Sequence, residues 1–296
     1  MLQGRKGELA TFAATLFWGS SFVVIKSGLN QIDPMPFVVL RFIAASILFT
    51  VIFLICRKGL GTGLLRNKYV YLMSLFNAGG FLFQYIGLDH TSAIKGSLLV
   101  NINVIFVMLI AHFYLNETVT PRKALSVLGG VLGIFLLITE GDLGVLGSGS
   151  GKGDMAVLVG GVCWAFYIVL SRKVVRDGAD IFGLNYMLTI LTTAVLLPLL
   201  WGTEFDLNAG SMAYILYIAF FCTIVTFMLW TYGLKTVSAT ASSVMLMNEV
   251  VFASFLGMLL LGERLDAYGY AGAMIMVIAI ANMALERKRK YPLSKG

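Results

Sequence analysis

Glu249 is the residue whose position is hardest to explain by packing alone, because it sits about twelve residues from either end of the apolar run 237–260. A charged group at such depth costs about 2.5–3.5 kcal/mol on insertion scales for Asp, Lys or Arg, so ionisable residues there face a cavity or a partner. The carboxyl can serve a substrate or carry a proton. Alternatively it ties its helix to a neighbour through Asn248 or Tyr232. Two basic residues also lie in apolar runs, Lys26 and Arg41. Lys26 is near a run end and can snorkel outward. Arg41 can pair with an acidic group, clamp a substrate carboxylate bidentately, or bond helix-end carbonyls at a hinge.

Around these charges the sequence places aromatic and amide groups several residues inside apolar runs. Trp18 and Trp164, with Gln84, Tyr85 and Tyr232, would line a pathway if they face the centre. Aromatic walls with a few polar groups suit an amphipathic small molecule, although aromatics in apolar helices also serve plain packing. Asn101, Asn103 and Asn248 supply uncharged hydrogen-bonding capacity, for a ligand or between helices. Glu117 and Glu263 each stand just before a new helix start, with Thr120 and Pro121 in one case and Asp266 in the other. They are read as stabilising those turns, and as gating charges beside Arg122 and Arg264.

The elements that position these residues follow from composition. Of 296 residues, 58% are hydrophobic and only 12% charged, with a mean hydropathy of +0.88. A soluble domain averages roughly a quarter charged residues, so a water-soluble fold and a disordered chain are both excluded. Apolar runs fall at 9–29, 34–55, 70–88, 93–115, 122–138, 154–171, 181–201, 212–234, 237–260 and 267–285. They show no alternation of polar and apolar positions, which selects helices over barrel strands. The expected fold is an all-α polytopic membrane protein of ten transmembrane helices.

A cytoplasmic N-terminus places 17 of the 22 Lys and Arg residues on the inner side. The positive-inside rule then puts both termini in the cytoplasm. The net charge of +7 is therefore a topology signal and not a nucleic-acid patch. Cys56, Cys163 and Cys222 are scattered in apolar sequence and suggest neither a disulfide framework nor a metal site. The first run lacks a small-x-small cleavage site and reads as a retained helix.

The chain also repeats itself. Trp18/Trp164, Lys26/Arg172, Gly87/Gly233 and Glu117/Glu263 are all 146 residues apart, as are Tyr71/Tyr217, Phe81/Phe227, Ser97/Ser243 and Phe106/Phe252. Two five-helix repeats, 8–140 and 154–286, are expected, joined by an external Gly/Ser-rich linker, 141–153, and followed by a basic cytoplasmic tail, 287–296. With five helices each, the second copy enters the bilayer from the opposite side. Such inverted repeats are common in secondary transporters, where two halves rock about a central site. Gly129 with Gly133, and Gly269 with Ala273, are small-xxx-small pairs suited to an internal seam or a dimer contact.

Several stretches resemble the EamA-type carriers of the drug/metabolite transporter superfamily. They are Phe17-Trp18-Gly19-Ser20-Ser21-Phe22 with Lys26, then Pro34, Pro36 and Arg41, then Leu115-Asn116-Glu117-Thr118 with Pro121, and Leu261-Gly262-Glu263-Arg264. The resemblance implies export of an amino acid or a related polar-aromatic metabolite or drug. One departure stands out: where the family often carries a proline in the middle of its fourth and ninth helices, this chain has Asn103-Val104 and Glu249-Val250. Bending through Gly96 and Ser97, and through Ser242 and Ser243, is the expected substitute.

Other classes are poorly served. Two histidines, His90 and His112, cannot build a multi-histidine metal site, and the chain shows no Walker loop and no serine elbow at membrane depth. No cofactor, metal or enzymatic activity is expected. The reading is a secondary transporter moving a small metabolite through a central cavity by alternating access in a plasma (inner) membrane. Its partners would be the bilayer and the cargo, with protons as a candidate coupling ion, in a monomer or homodimer. A passive channel is the alternative.

Overall fold

Long apolar runs with few charges can satisfy their backbone in lipid only as helices, and helices dominate the computed structural model. It describes residues 2–56, 62–91, 93–139, 141–142, 151–262 and 264–290. Glu263, most of the expected linker and residues 291–296 of the tail lie outside the described residues. The helices are α1 Leu2–Gly28, α2 Pro34–Cys56, α3 Thr62–Leu65, α4 Lys68–Asp89, α5 Ala93–Asn101, α6 Asn103–Leu115 and α7 Pro121–Thr139. They continue as α8 Gly151–Arg176, α9 Ile181–Leu196, α10 Ala209–Ala219, α11 Thr226–Gly233, α12 Ala239–Leu246, α13 Asn248–Leu261 and α14 Ala267–Lys290. A π-helical stretch, Phe220–Val225, joins α10 to α11.

Six helical stretches are long and apolar enough to cross a membrane: Lys6–Gly28, Pro34–Cys56, Gly151–Arg176, Ile181–Leu200, Ala209–Gly233 and Ala239–Leu261. Leu99–Leu115 and Ala267–Met283 are shorter apolar helices. The other two expected spans are also helical, as α4 and α7. Helix α4 carries Asn77 and Gln84, both buried, and packs chiefly against α8. A helix enclosed by others can carry polar groups that a lipid-facing one cannot. Leu54, Ile55, Phe113, Leu125, Leu128, Leu259 and Met274 stand outward with most of their surface exposed, which suits contact with lipid tails.

The fourth and ninth expected spans are each broken. Helix α5 ends at Asn101 and α6 begins at Asn103, while α12 ends at Leu246 and α13 begins at Asn248. Bonds one residue too short for an α-helix run through each break, from Ile105 N to the Ile102 oxygen at 3.2 Å and from Val250 N to the Met247 oxygen at 3.1 Å. The bend therefore does not fall at Gly96, Ser97, Ser242 and Ser243, as the sequence suggested. It falls at Ile102 and Met247, one and two residues before Asn103-Val104 and Glu249-Val250, with no proline at either break. Asn101 donates Nδ2 to the Ser97 oxygen at 2.8 Å, and Asn248 to the Met245 oxygen at 3.1 Å. Each side chain thus bonds a carbonyl of the helix that precedes its break.

Contacts recur at the 146-residue offset. Lys26 Nζ donates to the Leu88 carbonyl at 2.9 Å, and Arg172 donates to the Leu234 carbonyl. A Cβ on Gly87 would meet the Gly153 oxygen at 2.8 Å, and one on Gly233 would meet the Gly7 oxygen at 2.9 Å. Helices α6 and α13 end on residues in the left-handed region, Asn116 at φ 55° and Gly262 at φ 69°. Asn is the side chain that tolerates that region best after glycine. Gly133 lets α7 and α14 touch: an added Cβ would lie 2.6 Å from the Gly272 oxygen. The Gly129–Gly133 face is thus an internal seam. The turns begin as expected, with Thr120 Oγ1 accepting from Lys123 N at 3.2 Å and Asp266 Oδ1 from Gly269 N at 2.7 Å.

Candidate functional site

Between the halves lies a cavity of about 50 Å³. Helix α1 contributes Trp18, Ser21 and Phe22; α4 contributes Phe81 and Gln84; α5 and α6 contribute Val100 and Asn103. From the second half come Trp164, Tyr167 and Ile168 of α8, Trp230 of α11, Leu246 of α12 and Glu249 of α13. Twelve of these thirteen residues form six pairs at the 146-residue offset: Trp18/Trp164, Ser21/Tyr167, Phe22/Ile168, Gln84/Trp230, Val100/Leu246 and Asn103/Glu249. The two halves therefore meet at the cavity through the same positions. What differs is chemistry, since a neutral amide in the first half corresponds to a carboxyl in the second and a glutamine to a tryptophan.

The walls are aromatic and interlocked. Trp164 stands edge-on to Phe81 at 4.6 Å between centroids, and Tyr167 stacks on Trp230 at 5.6 Å. Trp18 reaches both Phe227, at 5.3 Å, and Trp230, at 5.8 Å. Gly80 admits the Trp164 ring, which would lie 3.0 Å from an added Cβ. Two indole N–H groups find acceptors: Trp18 Nε1 donates to the Cys222 oxygen at 3.2 Å and Trp230 Nε1 to Ser242 Oγ at 2.9 Å. Each ring is thus fixed at its polar end while its apolar face bounds the cavity.

Glu249 is buried in the first turn of α13, at the break, and lines the cavity. Its partner is neither Asn248 nor Tyr232. Asn101 Nδ2 donates to Glu249 Oε1 at 2.6 Å across the two halves. Asn248 turns away to bond the Met245 oxygen of α12, and Tyr232 lies on an outer face with 43% of its surface exposed. Two helical residues separated by two positions point to opposite sides. Trp230, fully buried, therefore holds the place on the cavity wall that the sequence reading assigned to Tyr232. Trp230 and Tyr167 were missed, although adding the repeat offset to Gln84 and Ser21 leads to both.

Tyr85 is buried but lies behind the cavity wall, with its hydroxyl 3.4 Å from Arg41 Nη1. Arg41 itself is wholly buried. Its Nε donates to Thr223 Oγ1 at 2.9 Å and its Nη2 to the Cys222 oxygen at 3.0 Å. Both acceptors belong to the π-helical stretch, whose Cys222 carbonyl accepts from Arg41 and Trp18 together. Lys26 fastens α1 to the end of α4 by donating to the carbonyls of Leu88 and Asp89.

Glu117 does not cap the helix that follows it. Its Oε1 accepts from Ala239 N at 2.7 Å, and its Oε2 from Thr240 N at 3.3 Å and Thr240 Oγ1 at 2.8 Å. It therefore holds the start of α12 in the other half, with Lys123 Nζ 3.8 Å away. Among the described residues no group of three or more His, Cys, Asp and Glu side chains is placed to hold a metal ion.

Comparison with known proteins agrees with this architecture. A sequence model described as the EamA-like transporter family matches residues 5–139 and again 151–285. An uncharacterized transporter of Archaeoglobus fulgidus is 27% identical over 93% of this chain and 96% of its own length. The uncharacterized transporters YoaV and YyaM of Bacillus subtilis are 29% and 25% identical over 93% and 90% of this chain, and 95% and 89% of theirs. A crystal structure with 18% sequence identity superposes at a TM-score of 0.74 over 96% of this chain and 98% of that one, which shows a shared fold. The family and these relatives are transporters, which argues against an enzyme. With apolar crossing helices and two matches to one family along its length, the chain belongs to the EamA-like transporter family, a multi-pass membrane transporter of the drug/metabolite type.

Proposed function

We propose that the chain is a ten-span carrier of two inverted five-helix repeats with both termini cytoplasmic. On this reading it moves a small metabolite, an amino acid or related compound, across the plasma membrane by alternating access, with export as its direction. The observation that carries the reading is the cavity lined by six residue pairs at the repeat offset. A site shared by two opposed copies of one unit can be opened from either side by equivalent movements. Domain limits of 8–140 and 154–286 are supported by the double family match.

A cavity of about 50 Å³ holds a few waters, whereas small-ligand pockets span roughly 300–1,000 Å³. Its walls must part before cargo enters, and this favours a carrier over a standing pore. Three indoles and Tyr167 would provide the apolar enclosure, with Gln84, Asn103 and Glu249 as polar contacts. Glu249 would be the proton carrier, since it lines the cavity and its carboxyl is bonded by an amide.

Reconstitution into liposomes tests this reading, with uptake of a labelled amino-acid panel measured with and without an imposed pH gradient. Wild type is expected to show saturable uptake that responds to the gradient. Glu249→Gln is expected to remain folded and lose that response. Undiminished proton coupling in the variant would discard the role of Glu249, and non-saturable flux would favour a channel.

A further inference from the structure

Arg41 is a charged group whose surroundings supply no opposite charge. Its three acceptors are a hydroxyl of Thr223, the hydroxyl of Tyr85 and the Cys222 carbonyl. Among the described residues, none of the carboxylates forms an ion pair with it. A guanidinium carries five N–H groups, so these bonds leave two beyond them, and the bond to Tyr85, at 3.4 Å, is long. Burying such a cation without a counter-charge is costly.

An aromatic residue of the cavity wall packs against this cation. The Phe81 ring lines the cavity and also lies under the guanidinium, 4.2 Å from Cζ to the ring centroid. Trp18, another wall residue, shares with Arg41 the Cys222 oxygen as acceptor. The counterpart of Arg41 at the repeat offset is Met187. The positive group therefore exists in one half only, and the cavity's carboxyl, Glu249, in the other.

We propose that Arg41 is an anion subsite of the central cavity, covered by Phe81, and that it takes the carboxylate of the cargo when the Phe81 ring turns aside. The inference rests on the carrier reading above. The bound anion would supply the missing counter-charge and would use the free N–H groups in a forked, two-point contact that a Lys could not reproduce. A cargo with a carboxylate at one end and an ammonium at the other would meet Arg41 and Glu249 together.

The test uses the full chain in detergent and in liposomes, with L-phenylalanine against L-phenylalaninamide and L-leucine against L-leucinamide as probes. Binding is read from quenching of the cavity tryptophans. Wild type is expected to bind each acid at least about tenfold more tightly than its amide. Arg41→Gln is expected to abolish that preference by weakening the acid alone. Phe81→Leu, which leaves Arg41 intact, is expected to strengthen the acid alone, and it decides the matter if Arg41→Gln fails to fold.

Equal binding of acid and amide by wild type overturns the subsite, as does a preference that survives Arg41→Gln or a Phe81→Leu effect shared by both probes. Binding of neither probe, with labelled sugars or nucleosides still taken up, also overturns it and leaves the carrier standing. Failure to take up any compound defeats the carrier reading as well.

Discussion

Glu117→Ala tests whether the two halves are fastened at the start of α12. The carboxylate accepts two backbone N–H groups and one hydroxyl of that first turn, at 2.7, 3.3 and 2.8 Å. Ser238 Oγ accepts a third N–H, from Ala241, at 3.2 Å. Hydrogen bonds to charged groups are worth about 1.5–3 kcal/mol each, which bounds the loss at about 9 kcal/mol. The side chain is 12% exposed, so water replaces part of what is removed. A cap contributes about 1–2 kcal/mol and a charge at a helix N-terminus about 0.3–1 kcal/mol, giving about 1.3–3 kcal/mol for Ala. Glu117→Gln keeps an acceptor but loses the charge and should cost about half as much. Lys123→Met removes only an ion pair at 3.8 Å and should cost under about 1 kcal/mol. Thermal unfolding of the detergent-purified protein, followed with a thiol-reactive dye that reports exposure of Cys163 and Cys222, gives the order. The midpoint should fall most for Ala, less for Gln and least for Lys123→Met. An Ala midpoint no lower than that of Lys123→Met would refute the cross-half latch.

Two further outcomes follow from where side chains point and how closely backbones approach. Trp230→Ala removes a cavity wall and leaves buried Ser242 Oγ without its indole donor, so saturable uptake should be lost. Tyr232→Ala, on the outer face, should leave uptake within about twofold of wild type; equal losses in proteoliposomes would contradict the assignment of the two faces. Gly133→Ala places a methyl 2.6 Å from the Gly272 oxygen and the Met276 side chain, which should cost about 1–3 kcal/mol by overpacking the α7–α14 seam. Gly63→Ala, with nothing within 4 Å, should be neutral or slightly stabilising; similar midpoints for the two variants would refute the close approach.

Membrane class, helical content, positions of the long apolar stretches, the repeat offset and the family were all legible in the chain. Lipid offers no hydrogen bonds, so a chain with 58% hydrophobic residues in long unbroken runs has little choice but helices. The offset was readable because rare residues such as Trp18 and Trp164 share it. Identity of the residue types that line the cavity was also partly legible: Trp18, Gln84, Asn103, Trp164 and Glu249 line it.

Direction was not legible. In a run that is apolar all round, no polar stripe marks which face turns inward, so Tyr232 and Trp230 could be told apart only once neighbouring helices surrounded them. Partners were hidden for a related reason. Asn101 and Glu249 are 148 positions apart, and Glu117 and Ala239 are 122 apart; such pairings depend on how the halves dock, which no local pattern encodes. The helix breaks fall at Ile102 and Met247, neither of which is a proline or a glycine, so no residue type marked them. The π-helical stretch likewise meets Arg41 through Thr223 and the Cys222 carbonyl, more than 180 positions along the chain. Local sequence set the helices and the repeat, while the tertiary contacts decided which faces and partners they present.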